Sequence, residues 1–416
     1  MNIAMNRKLL LFALAIAFVG CQKDALIEPK TAIVEETSKA VLSTWAAFEW
    51  EVDYPGMVNS RIWLSADRHM RDSFPSPEMS NTEKKYAQTI RNLSGCTWYY
   101  YRYEVYNPGY SYMTEMDSVL TDCSFGEISG QFSVSADKKV KFSQGNLQYQ
   151  ASTNTWRFAE YQWDFVGSQN PSSDNPIPAG TVVGSDNSRI ASNYDGWIDL
   201  FGWGTSGYHD EEDLCNQNYN PWSSSTGQIN DSQYNYYGYG PSTNTPSPNL
   251  TENSANYDWG VFNSVANGGG QTGLWRTLTT DEWEYVFEKR QTPSRIRFAK
   301  AIVNNVRGTI LLPDDWIKSY YELNSTNELA VDYSVNIIRD SDWAILESHG
   351  AVFLPAAGFR EGSTVNSPGI AGVYWSTSHC GNMSSFGVKF DGDNLDWSLD
   401  YKRQNGLSVR LVRDAE

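Results

Sequence analysis

Apolar and polar residues alternate in short runs through the first third of the chain. The clearest runs are residues 47–52, 60–64, 98–106 and 110–120. Alternation with a period of two is typical of strands that bury one face and expose the other. The turn Asn107-Pro108-Gly109 separates the last two runs and indicates a hairpin. We therefore predict a small antiparallel β-sandwich over residues 44–125.

The rest of the chain, residues 130–416, has a less regular pattern. Residues 168–270 contain few aliphatic side chains and many Asn, Ser, Gly, Tyr and Trp. Aromatic side chains in such a stretch indicate long loops that are pinned one by one into a core. We expect an ordered domain with much irregular structure.

Two short helices are predicted in this second region. Residues 280–290 follow a cap at Thr279 or Thr280, with acidic residues in the first turn and basic residues in the last. Charges placed in this way are favourable at the two ends of a helix. Residues 341–347 indicate a second helix, and a run of strands follows from Ala351. The chain is therefore predicted to be α+β, a small all-β sandwich followed by a large, loop-rich domain.

The segment MNIAMNRKLLLFALAIAFVG, residues 1–20, is a predicted secretory signal. Arg7 and Lys8 precede an apolar run, residues 9–19, that is too short to span a bilayer. The adjoining Phe18-Val19-Gly20-Cys21 resembles the bacterial lipobox. This resemblance implies cleavage before Cys21 and acylation of that residue with fatty acids such as palmitate, which leaves a soluble protein on a lipid anchor.

Residues 21–43 are polar and include Pro29, so we interpret them as a tether between the lipid and the folded part. Gln22 follows the lipidated cysteine, at a position where Asp would indicate retention in the inner membrane. The expected location is therefore the outer membrane, with the protein lipid-anchored and exposed at the cell surface.

Composition and charge narrow the classes of partner. Aromatic residues make up 14% of the chain, with 16 Trp and 25 Tyr, which favours cores built from large flat side chains. The formal net charge is −17, and loss of Arg7 and Lys8 with the signal takes it to −19. So acidic a surface has little attraction for phosphates. We expect no nucleic-acid partner, and membrane contact through the lipid anchor only.

The stretch LSGCTWYYYRYEVYN, residues 93–107, resembles the fibronectin type III pattern, in which a Leu-containing turn leads into a Tyr-rich strand. The resemblance implies that the next hairpin strand ends the domain near Asp122. Cys96 then starts one strand and Cys123 ends its antiparallel neighbour, so that the two thiols can face each other. We predict a Cys96–Cys123 disulfide, with two free thiols as the alternative.

Three landmarks occur in a fixed order in the large domain. They are LWRTLTTDEWEY at 274–285, FLPAAGFR at 353–360, and YWST at 374–377 with GLSVRLVR at 406–413. Together they resemble the C-type lectin fold of the sulfatase-modifying-factor, or formylglycine-generating-enzyme, type. The resemblance covers residues 130–416 and implies a helix start that is followed near the C-terminus by a closing strand. Within that strand, Arg410 and Arg413 are expected to pair with internal carboxylates.

The enzymatic chemistry of that family is not expected here. Formylglycine-generating members use a pair of cysteines near the C-terminus that bind copper, whereas this chain has Cys380 there and Cys215 far away in sequence. The usual G-N-V-W-E-W segment is missing, and neither His349 nor His379 has the spacing of a Ser-His-Asp triad. We predict a protein that is not an enzyme and needs no cofactor.

A metal site is not predicted either. Sugar-binding C-type lectins hold calcium with Glu-Pro-Asn or Gln-Pro-Asp followed by Trp-Asn-Asp, and these tripeptides do not occur in the sequence. Asp391, Asp393, Asp396 and Asp400 lack the spacing of an EF-hand loop, so we interpret them as solvated carboxylates. There is also no CxxC and no Cys/His cluster with the spacing of a zinc site.

The segment between the last two landmarks has little periodicity, although the flanking runs alternate. Some lectin-fold proteins of this type are targets of diversity-generating retroelements, and residues 375–410 resemble the variable region that those elements rewrite. Fixed strands that present adaptable polar and aromatic side chains follow the logic of an antibody paratope. The predicted ligand-binding residues are Ser378, His379, Cys380, Asn382, Ser384, Ser385, Asp391, Asp393, Asn394, Asp396, Trp397, Ser398, Asp400, Tyr401 and Asn405.

The expected function is therefore the binding of an external protein or glycan by the C-terminal loops of a surface lipoprotein. The region 375–410 is either diversified by a retroelement or fixed. The alternative is a non-diversified cell-envelope protein of the same fold with a structural or glycan-associated role. A formylglycine-type oxidase is the third class, and the missing cysteine pair disfavours it.

Overall fold

The computed structural model describes residues 31–41, 45–77, 79–80, 83–91, 93–95, 97–121, 126–166, 171–172, 175–178, 194–208, 221, 249–381 and 383–415. Residues outside these ranges include Cys21, Cys96, Cys123, Cys215 and Asn382. The lipidation site and the disulfide therefore stay predictions. Among the described helices, none is long and apolar enough to cross a bilayer.

Strands dominate the described fold and fall into two sets along the chain. The first set is β1 (Ile33–Val41), β2 (Trp45–Asp53), β3 (Asn59–Ser65), β4 (Phe74–Pro75), β5 (Met79–Ser80), β6 (Lys85–Arg91), β7 (Trp98–Asn107), β8 (Tyr110–Met113) and β9 (Asp117–Leu120). The second set is β10 (Phe132–Ser133), β11 (Lys139–Phe142), β12 (Leu147–Gln150), β13 (Thr155–Phe158), β14 (Pro171–Ser172), β15 (Asn175–Pro178), β16 (Phe298–Val303), β17 (Val306–Leu311), β18 (Ile337–Ile338), β19 (Val352–Pro355), β20 (Phe359–Glu361), β21 (Thr364–Asn366), β22 (Gly372–Cys380), β23 (Ser384–Phe390), β24 (Leu395–Lys402) and β25 (Val412–Asp414).

The described helices are short and lie in the second region. The α-helices are α1 (Trp259–Phe262), α2 (Thr280–Glu284) and α3 (Asp340–Ser348). Short 3₁₀-helices span Ala151–Thr153, Glu252–Tyr257 and Tyr333–Val335. A chain that is mostly β with a few short helices agrees with the predicted class at this level.

The first set of strands forms two packed sheets. One has the order β1-β2-β6, and the other is centred on β3 and β7, with β4, β5, β8 and β9 beside them. Side chains from both sheets meet in one core that includes Phe48, Trp50, Ile62, Leu64, Tyr101 and Tyr103. Within it, Trp50 Nε1 donates to Ser60 Oγ at 2.8 Å. The predicted small sandwich is confirmed for the described residues between 31 and 121.

The sandwich begins earlier than predicted. Ile33–Val41, which we assigned to the tether, forms β1 and pairs antiparallel with Trp45–Asp53. Most of its side chains are exposed, and a bulge between Glu36 and Ser38 interrupts its alternation, so the strand pattern is hidden in the sequence. Glu36 connects β1 to the facing sheet, since its Oε2 accepts hydrogen bonds from the hydroxyls of Tyr101 and Tyr103, both at 2.7 Å.

The hairpin at the end of the sandwich differs in one detail from the prediction. Its turn is confirmed, with Gly109 N donating to Asn107 Oδ1 at 3.0 Å. The run 110–120 was predicted as one strand, and it is divided into β8 and β9, which pair with different parts of β7. Thr114 accounts for the division, because its hydroxyl accepts a hydrogen bond from Tyr103 N at 3.0 Å between the two strands.

The second region consists of several small sheets around aromatic cores. Its sheets include the orders β18-β16-β17-β19, β10-β11-β25 and β22-β23-β24. The pairing of Val140 with Asp414 places the last strand of the region beside one of its first strands. Fully buried side chains in these cores include Trp203, Trp259, Trp275, Trp283, Trp316, Trp343 and Trp375. The expectation of cores built from large flat side chains is confirmed.

Helix α2 starts where the sequence predicted it. Thr279 Oγ1 accepts from Glu282 N at 3.1 Å, and Thr279 N donates to Glu282 Oε2 at 2.9 Å. This reciprocal pair is a capping box. After Glu284 the helix continues as a π-helical turn over Tyr285–Lys289. The second predicted helix, 341–347, corresponds to α3.

The two arginines of the closing strand differ in their partners. Arg413 Nη1 lies 3.1 Å from Glu127 Oε2, which confirms an internal carboxylate partner. For Arg410 the prediction is wrong, since its Nη2 donates to Gln162 Oε1 at 2.7 Å and its Nη1 to the carbonyl of Phe353 at 3.3 Å. Burial lowers the pKa of Arg410 to about 10, and neutral oxygens are the acceptors it meets.

Arg91, at the end of β6, connects the sandwich with the second region. Its guanidinium contacts Asp340 at the start of α3 and lies 4.0 Å from Glu347 Oε2. The same group stacks 4.8 Å from the ring centroid of Trp163. Beside it, Trp45 of the sandwich packs against Ala344 of α3. One cation thus ties the sandwich to the first and last turns of α3.

Candidate ligand-binding surface

The predicted binding residues lie on and around the antiparallel sheet β22-β23-β24. The first half of β22 is built into the core, with Val373, Tyr374 and Trp375 all at 0% exposure. Trp375 Nε1 donates to the carbonyl of Phe201 at 2.7 Å, and Tyr374 OH donates to the carbonyl of Pro355 at 2.9 Å. The rings of Trp375 and Tyr374 are buried, and their polar atoms are hydrogen-bonded to main-chain carbonyls. These contacts fix the orientation of β22 where it leads to the proposed surface.

The segment after β24 supports this strand from the other side. Leu407, Val409 and Leu411 are 0% exposed, as predicted for a framework segment. It was expected to be a regular strand, but it makes isolated bridges, Leu407 with Phe201 and Ser408 with Tyr374. The polar residues between them, Ser408 and Arg410, are also 0% exposed. The segment is therefore buried on both sides, and its alternation of apolar and polar residues does not mark a solvent-facing side.

The predicted residues differ in how much of them is accessible. Half-buried positions are Ser378, His379, Cys380, Ser384, Asp391, Asp396, Trp397 and Tyr401. Exposed positions are Asp393, Asn394, Ser398 and Asp400. Ser385 and Asn405 are buried, with exposures of 0% and 6%. These last two support the sheet from inside, so we leave them out of the contact surface.

The strand register sorts part of this set into two rows across the sheet. One row consists of His379, Ser385 and Tyr401. The next row consists of Cys380, Ser384 and Lys402. Neighbouring residues of a strand point to opposite faces, so the two rows lie on opposite sides of the sheet. The Tyr401 ring packs edge-on to Trp375 with centroids 6.3 Å apart, which marks its row as the side nearer the core.

His379 is held in one tautomer. Its main-chain N–H donates to Asn249 Oδ1 at 3.0 Å, and its Nδ1 lies 2.9 Å from the same oxygen. An amide oxygen can only accept, so Nδ1 carries the proton and Nε2 is left as an acceptor. Burial, together with the positive charge of Arg403, lowers the pKa of His379. The imidazole therefore presents a neutral hydrogen-bond acceptor at pH 7.

Cys380 is a free thiol at the end of β22. Burial raises its pKa, and the negative charge of Asp400 raises it further. The thiolate is the reactive form of cysteine, so this thiol is held in its unreactive form at neutral pH. It offers a small, weakly polar contact.

The turn between β23 and β24 is ordered by its own side chain and by a lysine from another sheet. Asp391 Oδ1 accepts from Asp393 N and Asn394 N, both at 2.9 Å, and Asp391 Oδ2 pairs with Lys389 Nζ at 2.8 Å. Burial opposes ionisation of Asp391, but these bonds outweigh it and lower its pKa.

Lys300 of β16 reaches the same turn from below. Its ammonium donates to the carbonyl oxygens of Leu329, Asp391 and Asn394. Burial lowers its pKa to about 8, while nearby carboxylates, Asp391 first among them, favour the charged form. A cation enclosed by carbonyl oxygens at the base of an exposed turn fixes the position of that turn. In the described residues, no three His, Cys, Asp or Glu side chains converge as a metal site.

The start of α2 supports the outer half of β22. Thr280 N donates to Ser378 Oγ at 3.1 Å, and the hydroxyls of Thr280 and Ser376 lie 2.9 Å apart. Ser376 Oγ in turn donates to the carbonyl of Phe386 on β23 at 2.8 Å. The sequence landmark around 274–285 therefore has a structural role, because its helix cap is hydrogen-bonded to the strand that leads into the surface.

Some residues that shape the surface carried no signal in the sequence. Asn249 orients His379, Lys300 holds the turn, and Arg403 lies fully buried with its guanidinium 4.4 Å from the ring centroid of Trp203. Asn249 and Lys300 are far from β22–β24 along the chain, and only the fold brings them there. Arg403 lies inside the predicted region, but its burial could not be inferred from an aperiodic segment.

The sequence matches no protein-family model and no curated protein. Solved structures resemble part of the chain. The sensor domain of the anti-sigma factor RsgI4 from Pseudobacteroides cellulosolvens is 12% identical over 22% of this chain and 76% of that chain, with a TM-score of 0.20. The FN1–FN3 domains of chicken CNTN1 are 21% identical over 22% of this chain and 33% of that chain, with a TM-score of 0.18. The third fibronectin III domain of human KIAA0343 is 13% identical over 24% of this chain and 91% of that chain, with a TM-score of 0.16.

Proposed function

We propose that the chain is a surface-exposed lipoprotein that binds an external protein or glycan through the sheet β22–β24 and its loops. The observation that carries the proposal is the change in burial along β22. Residues 373–377 are 0–1% exposed, whereas Ser378, His379 and Cys380 emerge half-buried from the same strand. A rigid base with accessible polar side chains lowers the entropy lost on binding.

The chemistry of this surface suits recognition of a polar ligand. The side of the sheet that carries His379 and Tyr401 offers a neutral acceptor and a half-buried ring, and the opposite side offers the exposed carboxylate of Asp400. Asp396 and Trp397, nearer the turn between β23 and β24, add a half-buried carboxylate and a second ring. Such aromatic and small polar groups supply contact area and adaptable hydrogen bonds in binding loops.

The proposed fold of residues 130–416 is the C-type lectin fold of the sulfatase-modifying-factor type. Two observations support it besides the sequence landmarks. The landmark helix α2 is hydrogen-bonded to β22 through Thr280, and the final strand β25 returns to pair with β11. A binding rather than an enzymatic role is proposed, because Cys380 stands without a second cysteine near it in the C-terminal sequence, whereas formylglycine-generating members use a pair.

The location rests on the lipobox resemblance at Cys21. In cells fed labelled palmitate, the wild-type chain should incorporate the label, and Cys21→Ser should not. Protease added to intact cells should then cut the C-terminal region. Labelling of the Cys21→Ser chain, or complete protection from protease, would remove the lipid anchor or the surface exposure from the proposal.

Whether the region 375–410 is diversified or fixed is decided by the genome. A near-copy of this region beside a reverse-transcriptase gene, differing only at adenines, would establish diversification, and its absence would establish a fixed surface. Burial of Ser385 and Asn405 favours a fixed identity at those two positions in either case.

Binding itself is tested with purified protein on arrays of glycans and of extracellular and phage proteins. His379→Ala, Asp396→Ala and Tyr401→Ala should each weaken a ligand of this surface. Glu284→Ala, on α2 outside the surface, is the control. Ligands that bind all four variants as they bind the wild type would remove the proposed site.

A further inference from the structure

A second surface, on the sandwich, carries an outward row of large side chains. Residues of β7 alternate, with Tyr99, Tyr101, Tyr103 and Val105 in the core. The residues between them face outward and are half-buried or exposed: Trp98, Tyr100, Arg102, Glu104 and Tyr106. Trp98 is 52% exposed, although an indole of that size is usually buried for the most part.

The neighbouring strands widen this row into a flat face. Trp63 of β3 lies opposite Arg102, and Leu120 of β9 lies opposite Trp98. Leu120 is itself 43% exposed. From Trp98 to Tyr106 the row runs eight residues along one strand, roughly 26 Å at the usual rise of a strand. The surface is therefore long and narrow, and open at the side.

Two rings of this face, those of Trp63 and Tyr106, are held by polar neighbours. Glu104 Oε2 accepts from Arg61 Nε and from Trp63 Nε1, both at 2.7 Å. The guanidinium of Arg61 lies 5.0 Å from the ring centroids of both Trp63 and Tyr106. The rings of Trp63 and Tyr106 are thus ordered before any ligand arrives, which lowers the entropy lost on binding.

The chemistry of the face is that of a sugar-binding platform. A pyranose ring has an apolar C–H face that packs flat on an aromatic ring, and a rim of hydroxyls that needs donors and acceptors. We propose that the outer face around Trp98, Tyr100 and Trp63 binds an extended neutral polysaccharide. This activity is separate from ligand binding by β22–β24, since it uses the other domain.

Charge and polarity favour this occupant over others. Among the described residues of this row, the charges of Arg61 and Glu104 offset each other and leave that of Arg102, in a chain of formal net charge −17. That is too little positive charge for a polyanion. Polar groups interrupt the rings, so there is no continuous apolar patch of the kind that an apolar protein partner covers.

The test is affinity gel electrophoresis of the full chain in gels that contain mixed-linkage β-glucan, xylan, galactomannan or amylopectin. At least one of these polysaccharides should retard the wild-type chain, and Trp98→Ala should weaken the interaction by about tenfold or more. Trp98→Tyr should restore most of it, because a ring is kept. Phe74→Ala removes another exposed ring, opposite the core-facing Leu64, and should change nothing.

The two proposed surfaces are distinguished in the same gels. Tyr401→Ala, in the C-terminal sheet, should leave the retardation by polysaccharide intact. Trp98 is half exposed, so its substitution should leave the thermal unfolding midpoint unchanged and show that the sandwich is folded. Wild-type mobility unchanged by all four polysaccharides, or retardation equal in wild type and Trp98→Ala, would overturn the inference. Retardation lost only with Tyr401→Ala would overturn it as well, since it places glycan binding on the other surface.

Discussion

The ammonium nitrogen of Lys300 lies 3.2 Å from the carbonyl oxygen of Asn394. Lys300 belongs to β16, and Asn394 to the turn between β23 and β24, so the contact joins two sheets of the second region. The turn that presents Asp391 and Asp393 is thus held from the inside of the domain. The position of this exposed turn therefore depends on Lys300, which is fully buried.

Lys300→Met should loosen this turn. The substitution keeps a long apolar side chain but leaves main-chain carbonyls without their donor, which costs about 1–3 kcal/mol for a buried polar group. The free energy of unfolding should fall by that amount, and hydrogen exchange at Asp391 N, which donates to Asn394 O, should accelerate. Lys389→Met is the control. It removes a half-buried ion pair with Asp391, and its effect on stability should be smaller.

The capping box of α2 should contribute measurably to stability. Thr279→Ala removes the acceptor for Glu282 N, and loss of such a cap costs about 1 kcal/mol. Thr364→Ala, at an exposed position on β21, should change the free energy of unfolding by less than about 0.5 kcal/mol. Denaturant unfolding of both variants measures the difference, and equal midpoints would show that the cap does not hold the helix start.

Asp258 should make stability depend on pH. This residue is 1% exposed and accepts from Gly260 N at 3.0 Å and Thr277 N at 2.7 Å. Burial raises its pKa to about 6 from the ordinary 3.8, although those bonds lower it. Between about pH 4 and pH 6 the folded chain therefore holds a proton that the unfolded chain has released. The contribution of Asp258 to stability should therefore fall as the pH rises through this window, by at most about 1.4 kcal/mol per pH unit.

Asp258→Asn should reduce that slope by the equivalent of one proton, even though the variant is less stable overall. The measurement is denaturant unfolding at pH 4, 5 and 6, followed by tryptophan fluorescence. Burial also raises the pKa of Asp164 to about 6, so a smaller slope should persist in the variant. Thr364→Ala, which removes no titratable group, should leave the slope as it is. An unchanged slope in Asp258→Asn would contradict the assignment.

Arg91 and Glu347 should be strongly coupled. Arg91→Met leaves the carboxylate of Glu347, which is 5% exposed, without its cation, and removal of one partner of a buried pair costs about 3–5 kcal/mol. Adding Glu347→Gln removes the stranded charge and should recover part of the loss. A double-mutant cycle on the free energy of unfolding measures this. Strictly additive effects would show that the pair does not join the sandwich to α3.

The sequence predicted well those elements whose alternation or capping is local. The run 98–106 alternates because one side faces the core, and Thr279 with Glu282 is a recognisable helix start. The strand Ile33–Val41 was missed because it lies at the edge of its sheet, exposes most side chains and contains a bulge. An alternating sequence pattern appears where one side of a strand is buried. An edge strand that buries few side chains does not produce that pattern.

The contact surface was predicted as a region, but its internal order could not be predicted. Bulges between Trp375 and His379 and between Gly387 and Lys389 shift the register, so the period of two does not run through the segment. Ser385 is buried beside the half-buried Ser384 because neighbouring residues of β23 point to opposite sides of the sheet, and an aperiodic sequence does not show which of the two faces inward. The supporting contacts of Lys300 and Asn249 join residues far apart in the chain, and no local pattern encodes them.

A saturation-mutagenesis scan of residues 372–412 shows whether buried framework residues carry an exchangeable contact surface. Each variant is displayed on cells, and folding is scored by protease resistance beside ligand binding. Substitutions at Val373, Trp375 and Leu407 should destroy protease resistance, because these side chains are fully buried. Substitutions at Ser384, Ser398 and Asp400 should keep protease resistance and change binding. Protease resistance as sensitive at the surface positions as at the framework positions, or ligand binding indifferent to them all, would contradict this arrangement.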